Sequence, residues 1–160
     1  MRAVIQRVKG AKVEVDGVTV GEVGVGFLVL LGVMQGDTEK EAELLAAKTA
    51  KLRIFEDAEG KMNRALTDVG GGVLAVSQFT LCANVKKGNR PSFTPSAPPT
   101  EANRLYEYYM QRLKTEGVAA VAHGEFGADM QVTLTNDGPV TILLDTDIWQ
   151  NSGLMTNGKR

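Results

Sequence analysis

A chain of 160 residues, 43% hydrophobic and 23% charged, has the length and balance of one soluble domain, able to bury about 68–70% of its unfolded surface without covalent staples. A single cysteine, Cys82, and a single histidine, His123, exclude an internal disulfide framework, a thiolate-built zinc site and a paired-histidine motif. Carboxylates could still hold magnesium or calcium, but no ligand spacing asks for a metal, and no cofactor is expected. The formal net charge of −1 leaves any nucleic-acid binding to a local patch rather than a global field.

The N-terminus, MRAVIQRV, alternates charged and apolar residues and lacks the continuous apolar core of a signal peptide. It leads through AKVEV to Asp16-Gly17 and then VTVGEV, a strong hairpin signal. GFLVLLGV, residues 26–33, follows as a fully buried strand. No apolar run approaches the roughly 20 residues of a membrane helix, so a cytoplasmic chain without membrane contact is expected. Thr38 and Glu41 then form a capping-box pair, and the Ala-, Leu-, Lys- and Glu-rich stretch from Glu39 to Arg53 predicts a helix with one covered face.

Residues 55–72 are polar and glycine-rich and are expected to form a loop or a pair of turns before the strand VLAVSQFTL. A long irregular stretch, CANVKKGNRPSFTPSAPP, occupies 82–99; loops of that length in compact domains are usually functional or disordered. A second helix starts at Thr100, with Leu105, Tyr106, Tyr109, Met110 and Leu113 on one stripe and Gly117 ending it. Strands VAAVAHGEF, DMQVTL and VTILL close the domain, the last two joined by Asn136-Asp137-Gly138, an ordinary hairpin turn that here carries Pro139 behind it. The expected order is β-β-β-α-β-α-β-β-β. The class is α+β: a curved, mainly antiparallel sheet or partial barrel with two main helices in a single domain, residues 1–145. Residues 146–160 are expected to form a variable tail, polar and frayed from Trp149 on.

Ser77, Thr80 and Cys82 lie in SQFTLC, where a buried strand meets the long loop, a good place for a site. Continued as a strand, the segment would put Ser77, Phe79 and Leu81 on one face and Gln78, Thr80 and Cys82 on the other. Cys82 as a nucleophile would need His123 as its base, and no G-x-S-x-G elbow is present. Lys86, Lys87 and Arg90 in KKGNRPSF form either a solvated basic loop or a contact for phosphates of RNA or a nucleotide. The residues alone lead to an α+β domain that binds an anionic ligand, with no obvious catalytic base.

SQFTL at 77–81, KKGNRPSF at 86–93, FGADM at 126–130 and NDGPVT at 136–141 occur in that order behind the opening MRAVIQRVKGAKVEVDG. Together they resemble the D-aminoacyl-tRNA (D-tyrosyl-tRNA) deacylase family, from Met1 to about Leu144. The resemblance implies a cytoplasmic homodimer that hydrolyses the ester of D-aminoacyl-tRNA and of glycine mischarged to tRNA. It implies a cis Gly138-Pro139 peptide that reaches the partner's pocket and rejects L-amino acids by collision. It also implies that the terminal ribose 2′-hydroxyl assists attack by water, with the backbone N–H groups of Phe79 and Thr80 as oxyanion donors. Ser77, Gln78 and Thr80 would then line the pocket, and Phe126 and Met130 would hold the adenosine. Two alternatives remain open from the residues: an esterase using Thr80 or Cys82 as a covalent nucleophile, and a non-catalytic RNA-binding module using the basic loop.

Overall fold

Alternation of apolar and polar residues over the first fifteen positions produces the spine of the molecule. In the computed structural model, which describes residues 1–149, strand β1 (Arg2–Val15) turns at Asp16-Gly17 into β2 (Val18–Val23). The apolar run that follows is β3 (Gly26–Gly32). It pairs antiparallel with the first half of β1, while β2 pairs with the second half. Helix α1 (Glu39–Lys51) opens on the expected capping box and stops short of Arg53. The polar stretch after it contains a small hairpin, β4 (Phe55–Glu56) and β5 (Met62–Arg64), that its composition did not announce.

Strand β6 (Gly72–Ser77) lies parallel to β3, and β7 (Ala120–His123) lies parallel to β6. Between them helix α2 (Pro99–Thr115) starts on the proline pair and ends before Gly117, which takes a φ of 96°. The sheet order is β2-β1-β3-β6-β7, mixed but mainly antiparallel. It curls until β2 and β7 nearly meet. A Cβ on Gly21 would lie 2.1 Å from the His123 carbonyl oxygen, so only glycine permits this near-closure into a barrel.

Curling gives the sheet two buried faces, which explains why β3 and β6 are apolar throughout. Phe27, Val29 and Leu31, with Val73 and Ala75, pack toward Leu45 of α1 and Leu105, Tyr109 and Leu113 of α2. The alternate residues Leu28, Leu74 and Val76 meet Val8, Val13 and Val23 in a second core. Each such side chain removed from water stabilises the fold by about 1.5–3 kcal/mol. The expected stripe on α2 is buried in full. Two buried hydroxyl groups of α2 are paired: Tyr106 donates to the Ala75 carbonyl at 2.6 Å, and the Thr49 and Tyr109 hydroxyls meet at 3.0 Å.

Three expectations fail. Asn136-Asp137-Gly138 does not turn a hairpin. Residues Gln131–Asp145 form one strand, β8, antiparallel to β1 along nearly its whole length. Gln6 faces Thr141 and Val8 faces Asn136, so residues 137–140 bulge opposite Arg7 alone. The cis Gly138-Pro139 peptide lies within that bulge. Nor does β6 continue through SQFTL: it ends at Ser77, and Phe79–Cys82 form a 3₁₀ turn. The fraying expected from Trp149 on also fails at that residue: beyond β8, Thr146–Trp149 are helical, Trp149 packs against the main core, and the Thr146 hydroxyl accepts from the buried Met1 ammonium at 2.8 Å. The tail expectation from Gln150 on lies outside the described residues.

Candidate active site

Parallel pairing of β3 with β6 delivers Ser77 to the edge of the sheet opposite Leu31. The Gln78 N–H donates to the Leu31 carbonyl at 2.8 Å, and the chain then tightens into the 3₁₀ turn. As the first N–H groups of that turn, those of Phe79 and Thr80 have no intrahelical acceptor. The turn is tied back to the spine by Arg2, whose Nη1 donates to the Leu81 carbonyl at 2.8 Å and whose Nε donates to Asp145 at 3.1 Å.

The long loop is organised rather than loose. Asn84 and Ser92 exchange two backbone hydrogen bonds of 2.7 and 2.9 Å, closing an excursion over residues 85–91. Its return runs beside the end of β3, with Ala97 N–H donating to Val33 O at 3.0 Å and Gln35 N–H to Pro95 O at 2.9 Å. This return, the 3₁₀ turn, the start of α2 and the β7–β8 connection enclose a pocket of about 680 Å³, within the usual range for small-molecule sites. Ser77, Gln78, Phe79, Phe126 and Met130 all line it, with Phe93. The pocket is mainly apolar and aromatic.

Thr80 stands just outside the lining. Its hydroxyl accepts a hydrogen bond from the Gln78 side-chain amide, a group that cannot take its proton. Cys82 is buried beneath the turn with its thiol toward the Val33 carbonyl at 3.4 Å, and burial pushes that thiol above the ordinary range. His123 is exposed at the end of β7, its Nδ1 2.6 Å from the Gly124 carbonyl. Among the described residues it makes no hydrogen bond to Cys82. The structure therefore does not bring together the cysteine–histidine pair considered from sequence. Lys86, Lys87 and Arg90 are exposed on the closed excursion. Among the described residues none of them has an ion-pair partner.

Gly138 and Pro139 are exposed and do not line the pocket of their own chain. Beneath them lies a residue that sequence patterning missed. Arg7, almost fully buried, donates through Nε to the Asp137 carbonyl at 3.1 Å and through Nη1 to the Ile54 carbonyl at 2.7 Å. Its Nε also lies 3.5 Å from the Asp137 carboxylate. A buried guanidinium with its donors on backbone oxygens fixes the shape of the bulge above it.

Residues 4–145 match the family model described as D-Tyr-tRNA(Tyr) deacylase. The chain belongs to the D-aminoacyl-tRNA deacylase family. A protein named D-aminoacyl-tRNA deacylase from Ruegeria pomeroyi is 58% identical over 91% of this chain and 99% of its own length. One of the same name from Lacticaseibacillus casei is 60% identical over 92% of this chain and 99% of its own length. Membership makes the chain a hydrolase of the deacylase class. Among solved structures, one titled c-Myc DNA Unwinding Element Binding Protein superposes with a TM-score of 0.85 at 44% identity, over 91% of this chain and 98% of that one. Another, titled a probable eukaryotic D-amino acid tRNA deacylase, shares the fold at a TM-score of 0.76 and 18% identity, covering 90% and 98%. The α+β partial barrel is thus the family's fold. No described helix is long and apolar enough to cross a membrane.

Proposed function

We propose that the pocket holds the aminoacylated terminal adenosine of tRNA and hydrolyses its ester when the amino acid is D or glycine. What carries this reading is a family pocket beside a 3₁₀ turn whose first N–H groups lack an intrahelical acceptor, with no nucleophile–base pair at it among the described residues. Water attacks the ester carbonyl carbon, the carbonyl oxygen takes the negative charge, and the bond to the ribose oxygen breaks as that oxygen gains a proton. The N–H groups of Phe79 and Thr80 meet the developing oxyanion. Ser77 and Gln78 orient the ester, Phe126 and Met130 hold the adenosine, and the neighbouring 2′-hydroxyl assists the water. Lys86, Lys87 and Arg90 contact phosphates of the acceptor end.

Chiral selection in this reading is made by a second copy of the chain in the cytoplasmic homodimer. Gly138-Pro139 is exposed, pinned from below and absent from its own pocket, which suits insertion into a partner's. An L side chain would strike that backbone; a D side chain points away, and glycine has none. The test is turnover on matched D-, L- and glycyl-tRNA, repeated with a 2′-deoxy terminal adenosine. The expected result is hydrolysis of the D and glycyl esters, sparing of L, and a large loss with the 2′-deoxy substrate. Full activity on the 2′-deoxy ester would favour a covalent route through Thr80. Binding without turnover would leave an RNA-binding module.

A further inference from the structure

Two aromatic rings remain in water where the pocket opens. Phe79 is 55% exposed and Phe93 38%, and they meet edge to face with centroids 5.1 Å apart and planes at 75°. Both line the pocket, one from the 3₁₀ turn and one from the loop return. A hydrophobic contact alone would be served better by burial. An edge-to-face pair at a rim also leaves ring surface open for a further flat partner.

The chain between the two rings supplies the second observation. It contains the closed excursion over 85–91, which displays Lys86, Lys87 and Arg90 without a carboxylate partner among the described residues. Aromatic faces beside unpaired cations are the chemistry of single-stranded nucleic acid: bases stack on the rings while phosphates meet the cations. We infer that Phe93, with Phe79, forms a stacking platform for the base of the nucleotide preceding the terminal adenosine, as the RNA strand leaves the pocket toward the basic excursion. This rests on the terminal adenosine occupying the pocket, as proposed above. The platform makes the enzyme a reader of an RNA end rather than of an adenosine ester alone.

The experiment uses the full chain and three D-amino acid esters: on intact tRNA, on tRNA made abasic at the penultimate nucleotide, and on adenosine alone. Phe93→Ala should raise KM on intact tRNA about tenfold, within what one base stacked on an aromatic ring provides, and leave kcat within about twofold. Phe93→Tyr should restore KM. The abasic substrate should cost the unmodified protein a similar factor, and on it and on the adenosine ester Phe93→Ala should keep only the smaller loss that comes from its place in the pocket lining. Equal penalties from Phe93→Ala on all three substrates would overturn the platform and confine the contact of Phe93 to the terminal adenosine. A Phe93→Ala protein that changes oligomeric state in sedimentation would overturn it in favour of a second copy covering the rings. Failure of the unmodified protein on every D-ester would instead sink the deacylase reading beneath it.

Discussion

Two irregular segments flank the spine strand, and each is held by an arginine from it. Arg2 holds the 3₁₀ turn at Leu81, and Arg7 holds the bulge at Asp137. The anchors differ in their surroundings. The Arg2 side chain is 36% exposed and pairs with Asp145, whereas that of Arg7 is 7% exposed. Water can replace what Arg2 supplies; it cannot easily do so at Arg7. The turn also rests on the end of β6 and the wall of the long loop, while among the described residues the strand carrying the bulge pairs with β1 alone and the bulge is anchored in the core by Val140. One segment is shaped by many weak constraints, the other mainly by one buried guanidinium.

That difference can be broken by substitution. Arg7→Ala should have the largest effect, since it strands the buried Ile54 carbonyl and the part-buried Asp137 carbonyl and should cost about 3 kcal/mol in urea unfolding. The D-to-L rate ratio should fall at least tenfold with it. Arg7→Lys should recover part of the stability but little of the ratio, because an ammonium does not span both carbonyls. Gly138→Ala comes next. Gly138 has a φ of 127°, and an added Cβ would lie 2.9 Å from Val140 Cγ2 and 3.2 Å from Arg7 Nη2. A loss of about 1–3 kcal/mol and lower D-substrate turnover are expected.

Arg2→Ala sharpens the contrast from the other side. Its stability cost should stay within about 1 kcal/mol, with kcat reduced several-fold and the D-to-L ratio unchanged. A ratio that fell as far as in Arg7→Ala would mean that the turn, not the bulge, selects. Thr80→Val should do least, moving unfolding by about 0.5 kcal/mol or less and leaving most turnover. An inactive, folded Thr80→Val protein would identify its hydroxyl as a reacting group.

The sequence was most legible where local chemistry decides structure. Thr38 and Glu41 cap α1 as their spacing requires, and the α2 stripe from Leu105 to Leu113 is buried as its period predicts. The bulge is not legible in the sequence because a hairpin and a bulge ask the same of Asn-Asp-Gly: flanking alternation and a glycine at positive φ. What decides between them is the reach of β1 along both halves of β8, a nonlocal fact. Arg7 is different: in β1 it holds the inward parity of Ala3 and Ile5, so a charge at an inward position was the local signal, and the register shift then buries Val8 beside it. At SQFTL the alternation simply runs on into the 3₁₀ turn, so nothing in the pattern marks where β6 stops.

The unpaired side of β8 has a separate consequence, for solubility. This 15-residue strand pairs only with β1 among the described residues, which leaves an edge long enough to template another chain's strand. Leu143 on it is 74% exposed. The bulge interrupts that edge, and Pro139, having no N–H, cannot extend a ladder outward. Two short edges remain instead of one long one. Deleting residues so that β8 ran straight would create the kind of uninterrupted border on which sheets grow end to end, and aggregation should appear before any loss of folded structure.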